Sequence, residues 1–293
     1  MESKKASFFV ILSSLCWGII GIFTRGLYGM GVSPFGMTFW RSLITAAVMI
    51  IICAAKDKSL LHLKKPKDIL YFVGMGVFSI VLFNVCYFSA MQYIPLSAAS
   101  VLLYTSPAMV VIMSGIFFKV PIGKRKIAAL IISFLGCVLM TGVLTGGQIT
   151  GKGLLLGLGS GFGYALYSVI GSAALKKYKA FTVITYTFII SSLALIPFGV
   201  KGGAPQGEAV KLIILLGLVS TLLPYILYTK GLEFLDAGKA SIMAFFEPVM
   251  ATVIGFLVFK EYLSLANFFG IVLIFVSIVL LNTGDKRKDT QSM

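Results

Sequence analysis

Residues 78–119, FSIVLFNVCYFSAMQYIPLSAASVLLYTSPAMVVIMSGIFFK, return later in the chain as residues 219–260, VSTLLPYILYTKGLEFLDAGKASIMAFFEPVMATVIGFLVFK. A shift of 141 positions (219 − 78) aligns the two without a gap. Ser79 then meets Ser220, Leu82 meets Leu223 and Tyr87 meets Tyr228. Ala99-Ser100 meets Ala240-Ser241, Pro107 meets Pro248, Met109 meets Met250, and Phe118-Lys119 meets Phe259-Lys260. Apolar segments share leucines by chance. Matched prolines, a matched tyrosine and a matched Ala-Ser step mark a repeat. Nearer the start of the chain the shift is closer to 147, where Trp17 meets Tyr164 and Phe39 meets Tyr186.

Outward from this stretch, each copy belongs to a series of apolar runs. About twenty such residues cross roughly 30 Å of hydrocarbon as a helix. The runs cover 7–28, 34–54, 68–91, 96–118, 124–144, 151–174, 180–200, 209–231, 237–259 and 264–283. Turn residues or charges separate them: Ser33-Pro34, Lys64-Lys65-Pro66, Ile94-Pro95, Pro121 to Lys126, Gly146-Gly147, Lys176 to Lys179, and Gly202-Gly203-Ala204-Pro205. Five spans per copy is an odd number, so the second copy enters the membrane upside down. Inverted repeats of this kind are typical of secondary transporters, which rock about a site near the midplane. The expected fold is an all-α integral membrane protein of ten transmembrane helices in two inverted five-helix repeats. The first repeat takes 1–144 and the second 151–284, and a short charged cytoplasmic tail, 285–293, is expected to be disordered.

Composition agrees. Hydrophobic residues make up 58% of the chain and charged residues 12%, about half the charged share of soluble domains. That much apolar surface needs a bilayer as its solvent. The net charge of +15 does not read as nucleic-acid binding, because the basic residues sit in short loops between spans. There they orient the protein and touch anionic lipid. With the N-terminus inside, nineteen Lys and Arg fall on the cytoplasmic side, five on the other, and Arg41 within a span. Both termini are therefore expected in the cytoplasm of a multi-pass protein of the cell (cytoplasmic) membrane. MESKKASFFVILSSLCWG reads as a retained first helix rather than a cleaved signal. Cys16, Cys53, Cys86 and Cys137 lie inside spans without CxxC pairing, and His62 is the only histidine. No disulfide framework, metal site or cofactor is expected from them.

Pro107 and Pro248 fall near the middle of spans four and nine. Each removes a backbone donor and displaces a carbonyl, and the freed groups must face protein or water. They read as helix breaks lining a central cavity, or as packing kinks. Glu247 is the only acidic residue near the middle of a span. It must be partnered, hydrated or protonated. It reads as a proton-binding group, a ligand for a substrate amine, a gate, or a structural hydrogen bond. Arg41 lies about 10 Å into span two. It reads as snorkelling outward, pairing with Glu247, or holding a substrate carboxylate.

Polar and aromatic residues recur on single helix faces. Span one offers Ser13, Trp17 and Gly21; span three Asn84, Tyr87 and Met91; span six Tyr164, Tyr167 and Ser168; span eight Tyr225 and Tyr228; and Tyr104 sits one turn before Pro107. Buried tyrosines need hydrogen-bond partners, so these residues read either as interhelical packing or as a substrate pocket. The candidate pocket is Trp17, Asn84, Tyr87, Tyr104, Tyr164, Tyr167, Tyr225, Tyr228 and Glu247. Gly157, Gly159, Gly161 and Gly163 hold overlapping GxxxG spacings and read as helix packing.

These residues resemble the drug/metabolite transporter superfamily, specifically its EamA family of ten-helix proteins, over essentially the whole chain. The resemblance rests on Trp17-Gly18, the Pro34…Arg41 spacing, Tyr104-Thr105-Ser106-Pro107, Phe246-Glu247-Pro248-Val249 and Lys260-Glu261. One departure stands out: Val120 precedes Pro121 where a glutamate matching Glu261 is expected. The resemblance implies a secondary transporter that moves small organic solutes, often outward, by alternating access. Relatives handle amino acids, related metabolites and some toxic compounds. The expectation is export of small metabolites such as amino acids, with lipid, a small-molecule substrate and a coupling proton as partners. An exporter of toxic or drug-like compounds is the alternative. A membrane scaffold, an embedded enzyme and a passive channel are the readings of other classes. No catalytic residue is expected: an enzyme needs clustered groups at one depth, and the spans offer one deep Glu, one Arg and no His.

Overall fold

The computed structural model describes residues 2–141, 143, 150–201 and 203–283, with the backbone alone at 200 and 283. The Gly146-Gly147 break and the 285–293 tail lie outside the described residues. Ten long helices fill the rest: α1 Glu2–Gly29, α2 Pro34–Lys56, α3 Pro66–Ala90, α4 Leu96–Phe118, α5 Lys124–Thr141, α6 Gly151–Leu175, α7 Ala180–Lys201, α8 Glu208–Leu232, α9 Ala237–Phe259 and α10 Leu265–Thr283. The ten-helix, all-α expectation is borne out. Among the described residues nine of these helices are long and apolar enough to cross a membrane on that measure alone. The exception is α5, whose first turn is Lys124-Arg125-Lys126. Those three charges fill the first turn, and the apolar residues begin at Ile127.

Local chemistry sets several boundaries. Ser33 caps α2 by accepting from Gly36 N at 3.1 Å, with Pro34 in the first turn. Thr150 caps α6 through Gly153 N at 3.1 Å, and Asp236 caps α9 through Lys239 N at 3.0 Å. The repeat persists down to backbone angles. Helices α4 and α9 both end on a left-handed lysine, Lys119 (φ 54°) and Lys260 (φ 57°). Both are interrupted in the middle, at Tyr104-Thr105, two to three residues before Pro107, and at Ala244-Phe245, three to four residues before Pro248. Helices α3 and α8 both contain a π-helical segment, Gly74–Val81 and Leu218–Leu222, holding the repeat mates Ser79 and Ser220.

Packing between the repeats obeys the same pseudo-two-fold axis. Helix α1 packs on α8 and α9, and its mate α6 packs on α3 and α4. The mates α2 and α7 pack on each other, as do α5 and α10, and α4 and α9. Two glycines make the crossings close. A side chain on Gly18 of α1 would strike α9 at the Glu247 carbonyl (2.9 Å) and Ala251 N (3.1 Å). One on Gly161 of α6 would strike α4 at the Leu102 carbonyl (2.8 Å) and Thr105 Oγ1 (2.9 Å). The glycine-rich face of α6 is thus a packing surface. The interrupted middles of α4 and α9 are each braced by the first helix of the other repeat. That arrangement faces freed backbone groups onto protein, as the bilayer requires.

Candidate functional site

An aromatic cluster forms where α1, α3, α6 and α8 meet. Trp17 on α1 stands at its centre, with ring centroids 6.4 Å from Tyr164, 5.4 Å from Tyr225 and 5.3 Å from Tyr228. Tyr167 lies 4.9 Å from Tyr225, and Phe188 of α7 closes the far side at 4.8 Å from the same ring. Buried hydroxyls are paired across helices: Tyr167 with Thr229 at 2.8 Å and Ser168 with Tyr228 at 2.8 Å. These bonds stiffen the wall, since each joins α6 to α8.

A cavity lies within this cluster. Trp17, Tyr164, Tyr167, Ser168, Tyr225 and Tyr228 line one side, and Ser79, Ile80 and Phe83 of α3 line the other. The free space is about 10 Å³, counted for the centre of a water-sized sphere, which is room for about one water. In this conformation the site is closed to any organic solute. A larger hollow of about 290 Å³ lies at the bundle end beside the α1–α2 and α7–α8 connections, between Trp40 and Gly203–Gln206.

The two deep charges flank the cluster. The carboxylate Oε2 of Glu247 accepts from the Tyr164 hydroxyl at 3.3 Å, and Tyr104 faces the same carboxylate. Glu247 sits in the first turn after the α9 interruption, where exposed backbone N–H groups favour an anion. Arg41 Nη2 donates to Asn84 Oδ1 at 3.1 Å, and Thr38 donates to the same oxygen at 3.2 Å. Asn84 spends its own amide on the Ile80 carbonyl at 2.7 Å. Among the described residues no ion pair joins Arg41 to Glu247. Arg41 bonds within its own repeat, because α2 and α3 place Asn84 directly beside it. Tyr225 lies between, within electrostatic reach of both charges.

Of the residues singled out from sequence, Trp17, Tyr164, Tyr167, Tyr225 and Tyr228 come together in the cavity wall. Glu247 and Tyr104 join it through Tyr164. Asn84 and Tyr87 do not line it: Asn84 holds Arg41, and the Tyr87 hydroxyl bonds Ser100 at 3.0 Å. Repeat mates therefore differ, Tyr228 bonding α6 and Tyr87 bonding α4. Sequence reasoning passed over Phe83, which lines the wall, and Phe188, which packs behind it on Tyr225. Phe83 was findable, one turn after Ser79 and one before Tyr87 on a single face. Among the described residues no three His, Cys, Asp or Glu side chains gather to hold a metal.

Comparison with known proteins follows the same outline. The model of the EamA-like transporter family matches residues 4–142 and again 151–283. An "Uncharacterized transporter" of Archaeoglobus fulgidus is 27% identical, over 92% of this chain and 94% of its own. "Uncharacterized inner membrane transporter YicL" of Salmonella typhimurium is 24% identical, over 98% of each chain. "Uncharacterized transporter YwfM" of Bacillus subtilis is 24% identical, over 99% of this chain and 98% of its own. One crystal structure superposes with a TM-score of 0.82 over 97% of this chain and 98% of that one, at 20% identity. At that identity the likeness is one of fold.

Proposed function

The chain belongs to the EamA-like transporter family and is a multi-pass membrane transporter, and we propose that it carries a small neutral or zwitterionic metabolite, such as an apolar amino acid, outward across the cytoplasmic membrane. The observation that carries this reading is an aromatic cavity set between one deep cation and one deep anion. A zwitterion matches that layout. Its carboxylate accepts from the Arg41 guanidinium beside Asn84. Its ammonium donates to Glu247, and its apolar body lies on the rings of Trp17, Tyr225 and Tyr228. A sugar phosphate would want several deep Lys or Arg side chains, and among the described residues Arg41 alone lies at that depth.

Alternating access is supported by the inverted repeat and by the closed cavity, which must open to one face at a time to admit a solute. Glu247 is the group proposed to exchange the coupling proton. The cytoplasmic placement of both termini rests on the Lys and Arg asymmetry. The inner-membrane name of the Salmonella relative supports the choice of membrane. A second reading, export of a drug-like organic cation, is favoured by the same carboxylate beside ring faces that attract cations.

Counterflow in proteoliposomes, run against apolar amino acids, organic cations and sugar phosphates, separates these readings. Saturable counterflow of a zwitterion is expected. Arg41→Gln should weaken it while sparing an organic cation, and Glu247→Gln should remove its pH dependence with normal insertion. A multiply charged anion as the tightest solute overturns the proposal, and so does a flux that never saturates.

A further inference from the structure

Helix α9 is ion-paired to two different helices, α1 at one end and α5 at the other, whereas its repeat mate α4 is tied at its ends to α6, by Lys176 Nζ 4.8 Å from the Phe118 ring centre and by Lys152 Nζ donating to the Tyr93 hydroxyl at 2.7 Å just before the helix. Just past the end of α9, Glu261 Oε1 meets Arg25 Nη2 of α1 at 2.6 Å, and the same guanidinium lies 4.1 Å from the Phe259 ring centre. At the start of α9, Asp236 Oδ1 meets Lys126 Nζ of α5 at 2.7 Å. The two pairs are at opposite faces of the membrane, with the Ala244-Phe245 interruption and Glu247 between them.

Each pair bridges segments that otherwise touch little. Up to Gly18 helix α1 packs closely on α9, but beyond it, toward Arg25, the contact is thin. The start of α5 likewise makes little contact with the first half of α9. Helix α4 is held differently: both of its halves pack along α6. The remaining ion pair between the repeats, Lys177 with Asp68 at 2.8 Å, ends the α3–α6 interface. That interface is already packed by Gly74 against Ile170 and by Gly163 against Phe83.

The repeat register shows that α4 lacks both ion pairs and keeps only a cation on the ring of Phe118, the mate of Phe259, supplied by Lys176 at the end of α6. Opposite Glu261 stands Val120, and opposite Asp236 stands Pro95. The same shift continued sets Asn267 opposite Lys126, at matching places in the first turns of α10 and α5. Near the start of the chain the shift of 147 sets Ser172 opposite Arg25. The hydroxyls of Ser172 and of Ser114, the mate of Gly255, are buried without a hydrogen-bond partner. In the second copy the Glu261 side chain lies against Gly255 instead.

We propose that α9 is the gate helix: its two halves swing about the Ala244-Phe245 interruption, the outer half latched to α1 by Arg25–Glu261 and the inner half latched to α5 by Lys126–Asp236, while α4 stays fixed on α6. Opening to one face breaks one pair and keeps the other. Because Glu247 lies at the hinge, either swing moves its carboxylate relative to Tyr164. The inference rests on the alternating-access reading above, but its test needs no substrate.

A single reporter cysteine, Ser79→Cys in the cavity wall, is placed in a chain whose Cys16, Cys53, Cys86 and Cys137 are alanine. Its reactivity toward a membrane-impermeant thiol reagent is read from each face in sealed vesicles of known orientation. Glu261→Gln and Arg25→Gln should raise labelling from one face and lower it from the other, by up to about five-fold for a half-exposed pair. Asp236→Asn, which keeps the helix cap, and Lys126→Gln should do the reverse. Exchanging the charges at 25 and 261 should restore the starting ratio. Which face responds to which pair reports the orientation separately. Folded variants of both pairs that shift labelling in the same direction, or leave it unchanged, overturn the gate.

Discussion

The crossing of α6 over the α4 interruption makes a prediction whose sign is set by a single carbon. Gly161→Ala adds a Cβ that would stand 2.8 Å from the Leu102 carbonyl and 2.9 Å from Thr105 Oγ1. Carbon–oxygen contacts settle at about 3.3–3.6 Å, so the helices must part by roughly half an ångström. Neither neighbour gives way easily: one is backbone, and Thr105 Oγ1 already donates to that carbonyl at 2.6 Å. Overpacking of this kind costs about 1–3 kcal/mol. The helix gains about 0.5–1 kcal/mol from replacing glycine. The net loss lies between about 0 and 2.5 kcal/mol and centres near 1 kcal/mol, a factor of roughly five in the folded-to-unfolded ratio. Gly18→Ala meets the same obstacle at the Glu247 carbonyl of α9 and should lose as much, with a matching fall in transport. Gly21→Ala meets nothing within 4 Å and should gain about 0.5–1 kcal/mol. Unfolding midpoints in mixed micelles order the three variants. If Gly161→Ala proves as stable as Gly21→Ala, the bracing of the interruption by α6 is wrong.

Two further outcomes follow from topology and from the cavity wall. Single cysteines at Lys64 and Lys177 should be shielded from an impermeant thiol reagent in intact cells, and one at Gly203 should react; labelling of the first two from outside would reverse the orientation. A double-mutant cycle of Tyr228→Phe with Ser168→Ala, measured by unfolding, should give a coupling of about 0.6 kcal/mol and no more than about 1.7. A coupling of zero would deny the 2.8 Å bond between α6 and α8.

The membrane itself makes much of this fold legible in sequence. Lipid allows only self-satisfied helices, so apolar runs translate almost directly into spans, and the shift of 141 relates one half to the other. Pro107 and Pro248 announce the interrupted helices. The interruption falls two to four residues earlier, since proline removes its own N–H and crowds the carbonyl a turn back. The π-helical segments around Ser79 and Ser220 carry no comparable mark, because no residue type specifies them. Depth could be read for Arg41 and Glu247, but not the direction each faces around its helix. A neighbour's identity depends on that angle, and Asn84 takes Arg41 because α3 lies beside α2 within one repeat. A phenylalanine facing the cavity and one facing lipid are the same residue type, so Phe83 was marked only by its spacing from Ser79 and Tyr87 on one face.

The positions at which the repeats stop matching carry the rest of the argument. A perfect inverted repeat would have two end states of equal energy and a site with two equivalent walls. Here the polar pair Arg41–Asn84 corresponds, through the same register, to the aromatic pair Phe188–Tyr225. One wall is thus polar and charged and the other aromatic, as the proposed zwitterion requires. The fastenings of α9 break the symmetry again at the two faces. In the proposed gate such a bias sets which face rests open, yet it cannot by itself drive net transport. A conformational preference present before a transport cycle is restored after it, so its contribution to the free energy of the cycle is zero. Direction must come from a gradient, and the group that couples to one has to change state as the helix swings. Glu247 meets that requirement by position: it sits beside the interruption of α9, which is ion-paired to different helices at its two ends.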